Sequence, residues 1–263
     1  MSLTFGSLFA GIGGVDLGLE RAGLECRWQV EIDEFARKVL AKHWPDVRRH
    51  DDVRTFPPPE GDWNVDLIAG GFPCQDISFA GRGAGLAGER SGLWFEFARV
   101  IRDLRPRYVL VENVPALLVR GMGDVLGTLA SLGYDAEWDC LSASSFGSPH
   151  QRERVFLIAY PSEIVSDGFV MPDELDGIQG NIEWNATQDI RSGKGWRSWI
   201  GSACKAVDGP VSERDFCRMD DGISEELDRI GAVGNAVVPQ VAQWIGRRIV
   251  EHHERTLLST DAR

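Results

Sequence analysis

The chain has 263 residues, 43% of them hydrophobic, which is enough apolar material for one large domain with a buried core. Its 40 acidic and 28 basic side chains give a net charge of −12, so a polyanionic partner has to be argued from local residues rather than from bulk charge. Five scattered cysteines without a Cys-x-x-Cys pair argue against a disulfide framework or a zinc site, and no stretch approaches the ~20 apolar residues of a membrane span, so we expect a soluble, cytoplasmic protein.

Short apolar runs alternate with amphipathic stretches over the first 160 residues, which predicts an α/β fold with a mostly parallel sheet. In chain order, strands are predicted at 3–9, 26–32, 65–69, 108–111, 136–141 and 155–160, the last two as a hairpin-like edge. Helices are predicted at 14–22, 34–43, 93–104 and 124–132, and helical periodicity returns at 238–253.

Residues 161–232 lose this alternation and are rich in Gly, Asp, Ser and Trp. They carry 15 acidic against 7 basic side chains, so most of the negative charge of the chain lies there. We predict that they form a second, smaller domain.

The segment Phe9-Ala-Gly-Ile-Gly-Gly14 lies between the first predicted strand and the first predicted helix, where an α/β fold lets a ligand approach the backbone. A tight turn without a ligand explains the glycines equally well. Glu31 ends the second strand, where an acid commonly binds a ribose hydroxyl pair, and Asp52 is placed to receive an adenine amino group. Because the glycine spacing matches neither a dinucleotide motif nor a phosphate loop, a ligand with ribose and adenine but no phosphate fits best.

Cys74 follows the strand 65–69 in Gly-Phe-Pro-Cys-Gln. Free cysteines are mostly small buried hydrophobes, but this one lies beyond the carboxyl end of a strand and precedes a glycine-rich stretch, 81–88. We interpret it as a nucleophile under a mobile cover, with Arg152 and Arg154 as the groups that would favour its thiolate.

Glu112 emerges from the apolar strand that precedes Asn113 and Pro115. A solvated strand end or a helix cap is the alternative to its interpretation as a general acid. The alternation Arg152-Glu153-Arg154 places both arginines on one face of a strand, although a surface charge pattern would look the same.

Together these motifs resemble those of the cytosine-5 DNA methyltransferase family, in order and over nearly the whole chain outside 161–232. The segment that begins at Phe9 resembles the S-adenosylmethionine motif of the family, and Gly-Phe-Pro-Cys-Gln resembles its nucleophile motif. Glu-Asn-Val resembles the base-binding motif, Arg-Glu-Arg the paired-arginine motif, and Gly234-Asn-Ala-Val-Val-Pro239 the last motif. His150 is a departure, because the family often has Gln at that place.

The resemblance implies a Rossmann-like, S-adenosylmethionine-dependent methyltransferase fold with a small, mostly irregular target-recognition domain. The catalytic and cofactor-binding domain would comprise 1–160, the recognition domain 161–232, and a C-terminal segment, 233–263, would complete the catalytic domain.

The resemblance also assigns roles to residues. In catalysis, Cys74 would add to carbon 6 of cytosine, Glu112 would hold or protonate ring nitrogen 3, Asn113 would orient the pocket loop, and Arg152 and Arg154 would contact the base. The expected cofactor-binding residues are Phe9, Ala10, Gly11, Gly13, Gly14, Glu31, Ile32, Asp52, Val53, Pro73, Leu93, Asn235 and Ala236. The expected DNA contacts are Gln75, Ser78, Arg82, Arg90, Lys194 and Arg197, and no metal is expected.

The implied partner is double-stranded DNA, from which the target cytosine would be flipped out of the stack. A monomer is expected, in a bacterial cell near the nucleoid or encoded by a phage, with a restriction endonuclease system as a further expected partner. Methylation of RNA and a catalytically idle DNA-binding role are the alternatives. The missing Cys-Phe-Thr tripeptide in 161–232 argues against a tRNA enzyme, and the intact motifs argue against an idle protein. The target sequence cannot be read from this region.

Overall fold

The computed structural model describes residues 2–73, 92–146, 153–162 and 237–261. Seven strands in these ranges form one sheet in the order β3-β2-β1-β4-β5-β7-β6. Neighbours are parallel from β3 to β5, whereas β7 runs antiparallel to both β5 and β6. The strands are β1 (Thr4–Leu8), β2 (Glu25–Val30), β3 (Arg48–His50), β4 (Leu67–Gly70), β5 (Tyr108–Asn113), β6 (Tyr134–Ser142) and β7 (Glu153–Pro161).

Six helices lie in the described ranges: α1 (Gly14–Arg21), α2 (Glu34–His43), α3 (Leu93–Leu104), α4 (Leu117–Arg120), α5 (Met122–Ser131) and α6 (Pro239–Asp261). Two 3-10 turns accompany them, at Val53–Thr55 and Ala143–Phe146. The helix ends follow from local chemistry. The carboxylate of Asp33 accepts a hydrogen bond from the Ala36 amide at 2.8 Å and so caps α2, while Gly133 adopts a φ of +80° after α5.

The core lies on both faces of the sheet because side chains alternate along each strand. In β5, Val109 and Val111 join one buried cluster, whereas Tyr108 and Leu110 join the other. Helices α3 and α5 cover the first face, and α1, α2 and α6 contribute to the second. Both faces are thus closed to water, and the carboxyl edge of the parallel strands is left to carry polar groups.

Glycines allow α6 to approach α1 closely. A Cβ at Gly14 would overlap the carbonyl of Val237, and a Cβ at Gly18 would overlap the carbonyl of Pro239. On α6 itself, a Cβ at Gly246 would lie 2.7 Å from the Cβ of Ala22. The C-terminal helix therefore packs directly against the helix that follows the glycine segment.

The α/β class, the mostly parallel sheet and the antiparallel pair β6–β7 are confirmed. Four of the described elements were not predicted by bounds, namely β3, α4 and the two 3-10 turns, Val53–Thr55 and Ala143–Phe146. The prediction for the second strand was wrong at its end, because β2 stops at Val30 and Glu31 therefore lies in the loop beyond it. The domain division stays a prediction, since most of 161–232 lies outside the described residues. Within the part of the chain that is described, no helix is long and apolar enough to cross a membrane.

Candidate active site

The strand order changes direction between β1 and β4, because β1 continues to β2 on one side and β4 continues to β5 on the other. Open α/β sheets bind ligands in the crevice at such a point, outside the carboxyl ends of the strands. Leu8 pairs with Gly70 at the ends of β1 and β4. The glycine segment after β1 and the Phe72-Pro73 segment after β4 therefore start side by side.

The glycine segment is a left-handed turn. Phe9, Gly11 and Gly13 have φ values of 54°, 55° and 85°, and the Gly13 amide donates to the Ala10 carbonyl at 3.0 Å. A Cβ at Gly13 would lie 2.5 Å from the ring of Trp44, whereas a Cβ at Gly11 would meet nothing within 4 Å. One side of the turn is thus packed on the protein and the other side is open for a ligand.

Glu31 is held by backbone amides. Its Oε2 accepts from the Gly11 amide at 2.7 Å and its Oε1 accepts from the Asp33 amide at 2.8 Å. Burial raises the pKa of this carboxyl, while the two amides oppose that shift. Each oxygen keeps a further lone pair, so the carboxylate can accept a pair of hydroxyl groups. Beside it, Ile32 is 63% exposed, an apolar surface that a flat base would cover. These residues fit an adenosine group.

Asp52 has a partner in the protein. Its Oδ2 accepts from Arg54 Nη2 at 2.6 Å, its two oxygens share the Arg54 Nε–H at 2.9 and 3.0 Å, and its Oδ1 also accepts from the Arg54 amide at 3.0 Å. The hydrogen bond with Arg54 lowers the pKa of this carboxyl, so Asp52 is ionised at neutral pH. Val53, which follows it, is buried at the start of the short turn. An adenine amino group would share Asp52 with Arg54.

A third carboxyl, Asp16, is fully buried in the first turn of α1. It accepts from Ser7 Oγ at 3.1 Å and from Gln29 Nε2 at 2.9 Å, which ties α1 to β1 and β2. Burial raises the pKa of Asp16 from 3.8 to about 6.

Two of the catalytic candidates lie within strands, Glu112 near the end of β5 and Arg154 near the start of β7. Glu112 of β5 pairs with Phe156 of β7, and Arg154 stands two residues before Phe156 on the same face. This diagonal brings Arg154 Nε to 3.0 Å from Glu112 Oε1, with side chains only 21% and 14% exposed. The antiparallel register of β7 thus assembles a half-buried ion pair at the edge of the sheet.

Asn113 joins this pair to the segment that leads to Cys74. Its Nδ2 donates to the Phe72 carbonyl at 3.0 Å, and its Oδ1 accepts from the Val114 amide at 2.9 Å. Between them, a Cβ at Gly71 would lie 2.5 Å from Glu112 Oε2. The backbone two residues before the cysteine is therefore fixed by Asn113, and a missing side chain at Gly71 leaves room for the carboxylate.

The structure places the remaining candidates as follows. Pro73 and Leu93 are half-buried, as are Phe9 and Ala10, and Gly14 begins α1. Ten predicted site residues lie outside the described residues: Cys74, Gln75, Ser78, Arg82, Arg90, Arg152, Lys194, Arg197, Asn235 and Ala236. Within the described ranges, no group of three or more His, Cys, Asp or Glu side chains could hold a metal ion.

Sequence reasoning missed Asp16, Gly71 and Arg99. Asp16 carried a signal, since an acid at an otherwise apolar helix position needs a buried partner. Gly71 is the second of two adjacent glycines, and the sequence alone does not distinguish it from Gly70. Arg99 looks like an ordinary exposed helical cation, and its contacts with Val53 and Phe56 come from distant parts of the chain.

The fold and the edge residues define a class, an α/β protein with a glycine turn and a carboxylate at the switch point that fit an adenosine group, and with an ion pair on the neighbouring strands. The family model for C-5 cytosine-specific DNA methylases matches residues 3–191. Type II methyltransferase M2.BsuMI of Bacillus subtilis is 32% identical over 92% of this chain and 74% of its own. M.Eco47II of Escherichia coli is 40% identical over 61% of this chain, but that match spans only 40% of the relative.

A crystal structure of a candidate DNA modification methyltransferase encoded within an E. coli prophage superposes with a TM-score of 0.65, over 96% of this chain and all of that one. Their identity is 20%, so this likeness concerns the fold. The chain belongs to the C-5 cytosine-specific DNA methylase family. By class it is therefore a DNA cytosine-5 methyltransferase, with S-adenosylmethionine as methyl donor and DNA as substrate.

Proposed function

We propose that this protein methylates carbon 5 of a cytosine that is flipped out of duplex DNA, and that it does so through a covalent adduct with Cys74. The observation that carries the proposal is the Glu112–Arg154 ion pair at 3.0 Å. Asn113, next to Glu112, holds the Phe72 carbonyl two residues before Cys74. A nucleophile, an acid and a cation would then meet at one base, as covalent catalysis requires.

The chemistry follows from the electronic character of cytosine. Carbon 5 is a poor nucleophile, and the Cys74 thiolate would form a bond to carbon 6 and push the ring electrons toward carbon 5 and nitrogen 3. Glu112, placed at nitrogen 3, would supply a proton or a hydrogen bond there as negative charge develops. Arg154 would orient the Glu112 carboxyl and contact the carbonyl oxygen of the base, together with Arg152.

The residues proposed to bind the cofactor lie along the other half of the carboxyl edge of the sheet. S-adenosylmethionine, when bound, supplies an electrophilic methyl group. Glu31 would accept from the ribose hydroxyls, Asp52 from the adenine amino group, and Phe9 and Ile32 would pack on the adenine ring. The open face at Gly11 supports this arrangement.

Carbon 5 would take the methyl group as its bond to the sulfonium sulfur breaks, which leaves S-adenosylhomocysteine. A base would then remove the proton from carbon 5, the electron pair left behind would expel the Cys74 thiolate from carbon 6, and nitrogen 3 would return any proton it received to Glu112. Water is sufficient as the base for that proton. Because neither face of a stacked cytosine is accessible in a duplex, the base would first be flipped, at a cost of a few kcal/mol. Gln75, Ser78, Arg82 and Arg90 are proposed to contact the DNA around it.

The proposal is tested by incubating purified protein with unmethylated duplex DNA and S-adenosylmethionine labelled in the methyl group. We expect label in DNA as 5-methylcytosine, and no label with Cys74→Ala. Cys140→Ser, a change at a half-buried cysteine of β6, is the matched control and should keep activity. Label that enters tRNA rather than DNA, or full activity of Cys74→Ala, would contradict the proposal.

Several aspects of the biological context stay predictions. Residues 161–232, including Lys194 and Arg197, are proposed to recognise the target, and bisulfite sequencing of DNA from expressing cells would give its sequence. A companion restriction endonuclease, bacterial nucleoid or phage origin, and a monomeric state are further proposals. Sedimentation of the pure protein tests the last of these.

A further inference from the structure

The guanidinium of Arg99 lies against the turn that carries Asp52 and Val53. Arg99 belongs to α3, and its Nη2 donates to the Val53 carbonyl at 2.7 Å and to the Phe56 carbonyl at 2.6 Å. Both distances are short, as expected for hydrogen bonds from a charged donor. The acceptors lie 46 and 43 residues away in the chain, so these bonds fix a tertiary arrangement.

Two carboxylates orient this guanidinium. Arg99 Nε contacts Glu96 Oε2 at 2.8 Å, and Arg99 Nη1 contacts Asp103 Oδ2 at 3.4 Å. Because these carboxylates contact Nε and Nη1 of the planar guanidinium, Nη2 is the nitrogen that faces the turn. The Arg99 side chain is only 26% exposed. The arginine is thus held in place before any ligand binds.

The turn needs this support. The Val53 carbonyl already accepts from the Phe56 amide at 3.2 Å, which closes the 3-10 turn, and the Phe56 ring is anchored 4.6 Å from the ring of Trp28. At the other end of the turn, Asp52 forms local hydrogen bonds with Arg54 and Thr55. Arg99 provides the long-range hydrogen bonds that fix the carbonyls of this turn.

The same helix also reaches the other side of the adenine site. Phe97, two residues before Arg99, lies with its ring 6.3 Å from that of Phe9. Through these two residues, α3 contacts both segments that are proposed to face adenine.

We propose that Arg99 is a positioning residue of the cofactor site, which holds the turn Asp52–Phe56 in the shape that receives the adenine edge without touching the cofactor. This inference rests on the adenosine site of the proposed function. It predicts that loss of Arg99 weakens cofactor binding more than it slows the methyl transfer, because the catalytic pair Glu112–Arg154 lies on other strands.

The experiment measures the dissociation constants of S-adenosylhomocysteine and of adenosine by calorimetry, on the whole protein. We expect Arg99→Met to weaken both ligands by about tenfold, since two charge-assisted hydrogen bonds are lost from a partly exposed site. An equal loss of affinity for the two ligands is diagnostic, because the turn is proposed to face only the adenosine group that both ligands contain. Arg99→Lys, which has a compact ammonium in place of the planar guanidinium, should weaken the binding of both ligands by about threefold.

Two controls separate positioning from loss of charge and from loss of stability. Arg102→Met removes a cation from the same helix; the Arg102 side chain is 59% exposed and contacts Asp103 Oδ1 at 2.9 Å. Leu129→Ala destabilises the buried core at α5. Both should bind the two ligands as the wild type does.

In assays with saturating cofactor, kcat of Arg99→Met should stay within about twofold of the wild type while KM for S-adenosylmethionine rises by about tenfold. Equal affinity of Arg99→Met and the wild type would overturn the inference, as would an equal loss in Leu129→Ala. A wild-type protein that binds neither ligand would instead refute the proposed cofactor site itself.

Discussion

The two halves of the carboxyl edge hold their functional groups by different means. After β1, β2 and β3, the cofactor half uses backbone geometry, namely the left-handed turn at Phe9–Gly13 and the amides that fix Glu31. After β4 and β5, the catalytic half uses side chains, namely the Glu112–Arg154 pair and the amide of Asn113. A cofactor common to many reactions would thus be bound by a turn, and the groups proposed for the particular chemistry come from strand side chains.

Because the two halves use different groups, cofactor binding and catalysis should be separable by mutation. Changes in the catalytic half should lower kcat and leave cofactor affinity unchanged. Changes in the cofactor half should alter affinity or stability and leave the rate at saturation nearly unchanged. A variant that alters both would show that the halves are coupled.

The largest effect is expected for Glu112→Gln. The amide keeps the shape of the side chain but is a much weaker proton donor to nitrogen 3, so kcat should fall roughly 1,000-fold. Affinity for S-adenosylhomocysteine should stay within about twofold, because Glu112 contacts Arg154 rather than the cofactor half. Single-turnover methylation and calorimetry measure the two quantities. The exposed Glu254→Gln on α6 is the control, and a Glu112→Gln enzyme with normal kcat would contradict the account.

A smaller effect is expected for Gly71→Ala. The new Cβ would lie 2.5 Å from Glu112 Oε2, so the carboxylate must move, and kcat should fall by roughly 10- to 100-fold. Cofactor affinity should not change. Gly123→Ala in α5 adds the same methyl group where nothing lies within 4 Å, and it should be neutral. Crystallography of the Gly71→Ala protein would show whether Glu112 has left Arg154; an undisplaced pair with wild-type kcat would refute the prediction.

The smallest effect is expected for Asp16→Asn, and it concerns the pH dependence of the free energy of unfolding. Because its pKa is raised from 3.8 to about 6 in the folded protein, the folded state binds the proton more tightly than the unfolded state. The resulting stability is fully present below pH 3.8 and is lost as the pH rises through about 6. Asp16→Asn does not titrate, and its amide can still bond Ser7 and Gln29. Relative to this variant, the free energy of unfolding of the wild type should fall by up to about 3 kcal/mol between about pH 4 and pH 7.

Urea unfolding at a series of pH values provides that comparison. The exposed Asp46→Asn is the matched control and should track the wild type. A constant difference between wild type and Asp16→Asn across this range would show that the buried carboxyl is not protonated by folding.

Much of the fold followed from the sequence, where local signals were strong. The predicted helix 34–43 matches α2 to the residue, because Pro45 stops it, and the apolar run of β5 located Glu112 at a strand end. The bounds of β3 were not predicted, because Arg48, Arg49 and His50 are polar and pair with β2 without an apolar pattern of their own. The insertion of β7 between β5 and β6 depends on tertiary pairing, which no local pattern encodes.

The candidate site divides in the same way. Glu31, Glu112 and Arg154 were proposed from motifs, and the structure puts the last two in contact. Arg99 was missed because its acceptors are main-chain carbonyls, which every residue has and which carry no signal in the sequence. Gly71 was missed because its importance depends on the carboxylate that a neighbouring strand places beside it.

The central claim is that Cys74 attacks a cytosine whose carbon 5 then loses a proton. Duplex DNA in which the target cytosine carries fluorine at carbon 5 tests it directly, because fluorine cannot leave as the proton does and the adduct should persist. With S-adenosylmethionine present, the account predicts a protein–DNA complex that survives denaturation, with the methylated base attached to the peptide that contains Cys74. The contradictory result is active protein that forms no such complex, or a complex whose attachment lies at another residue.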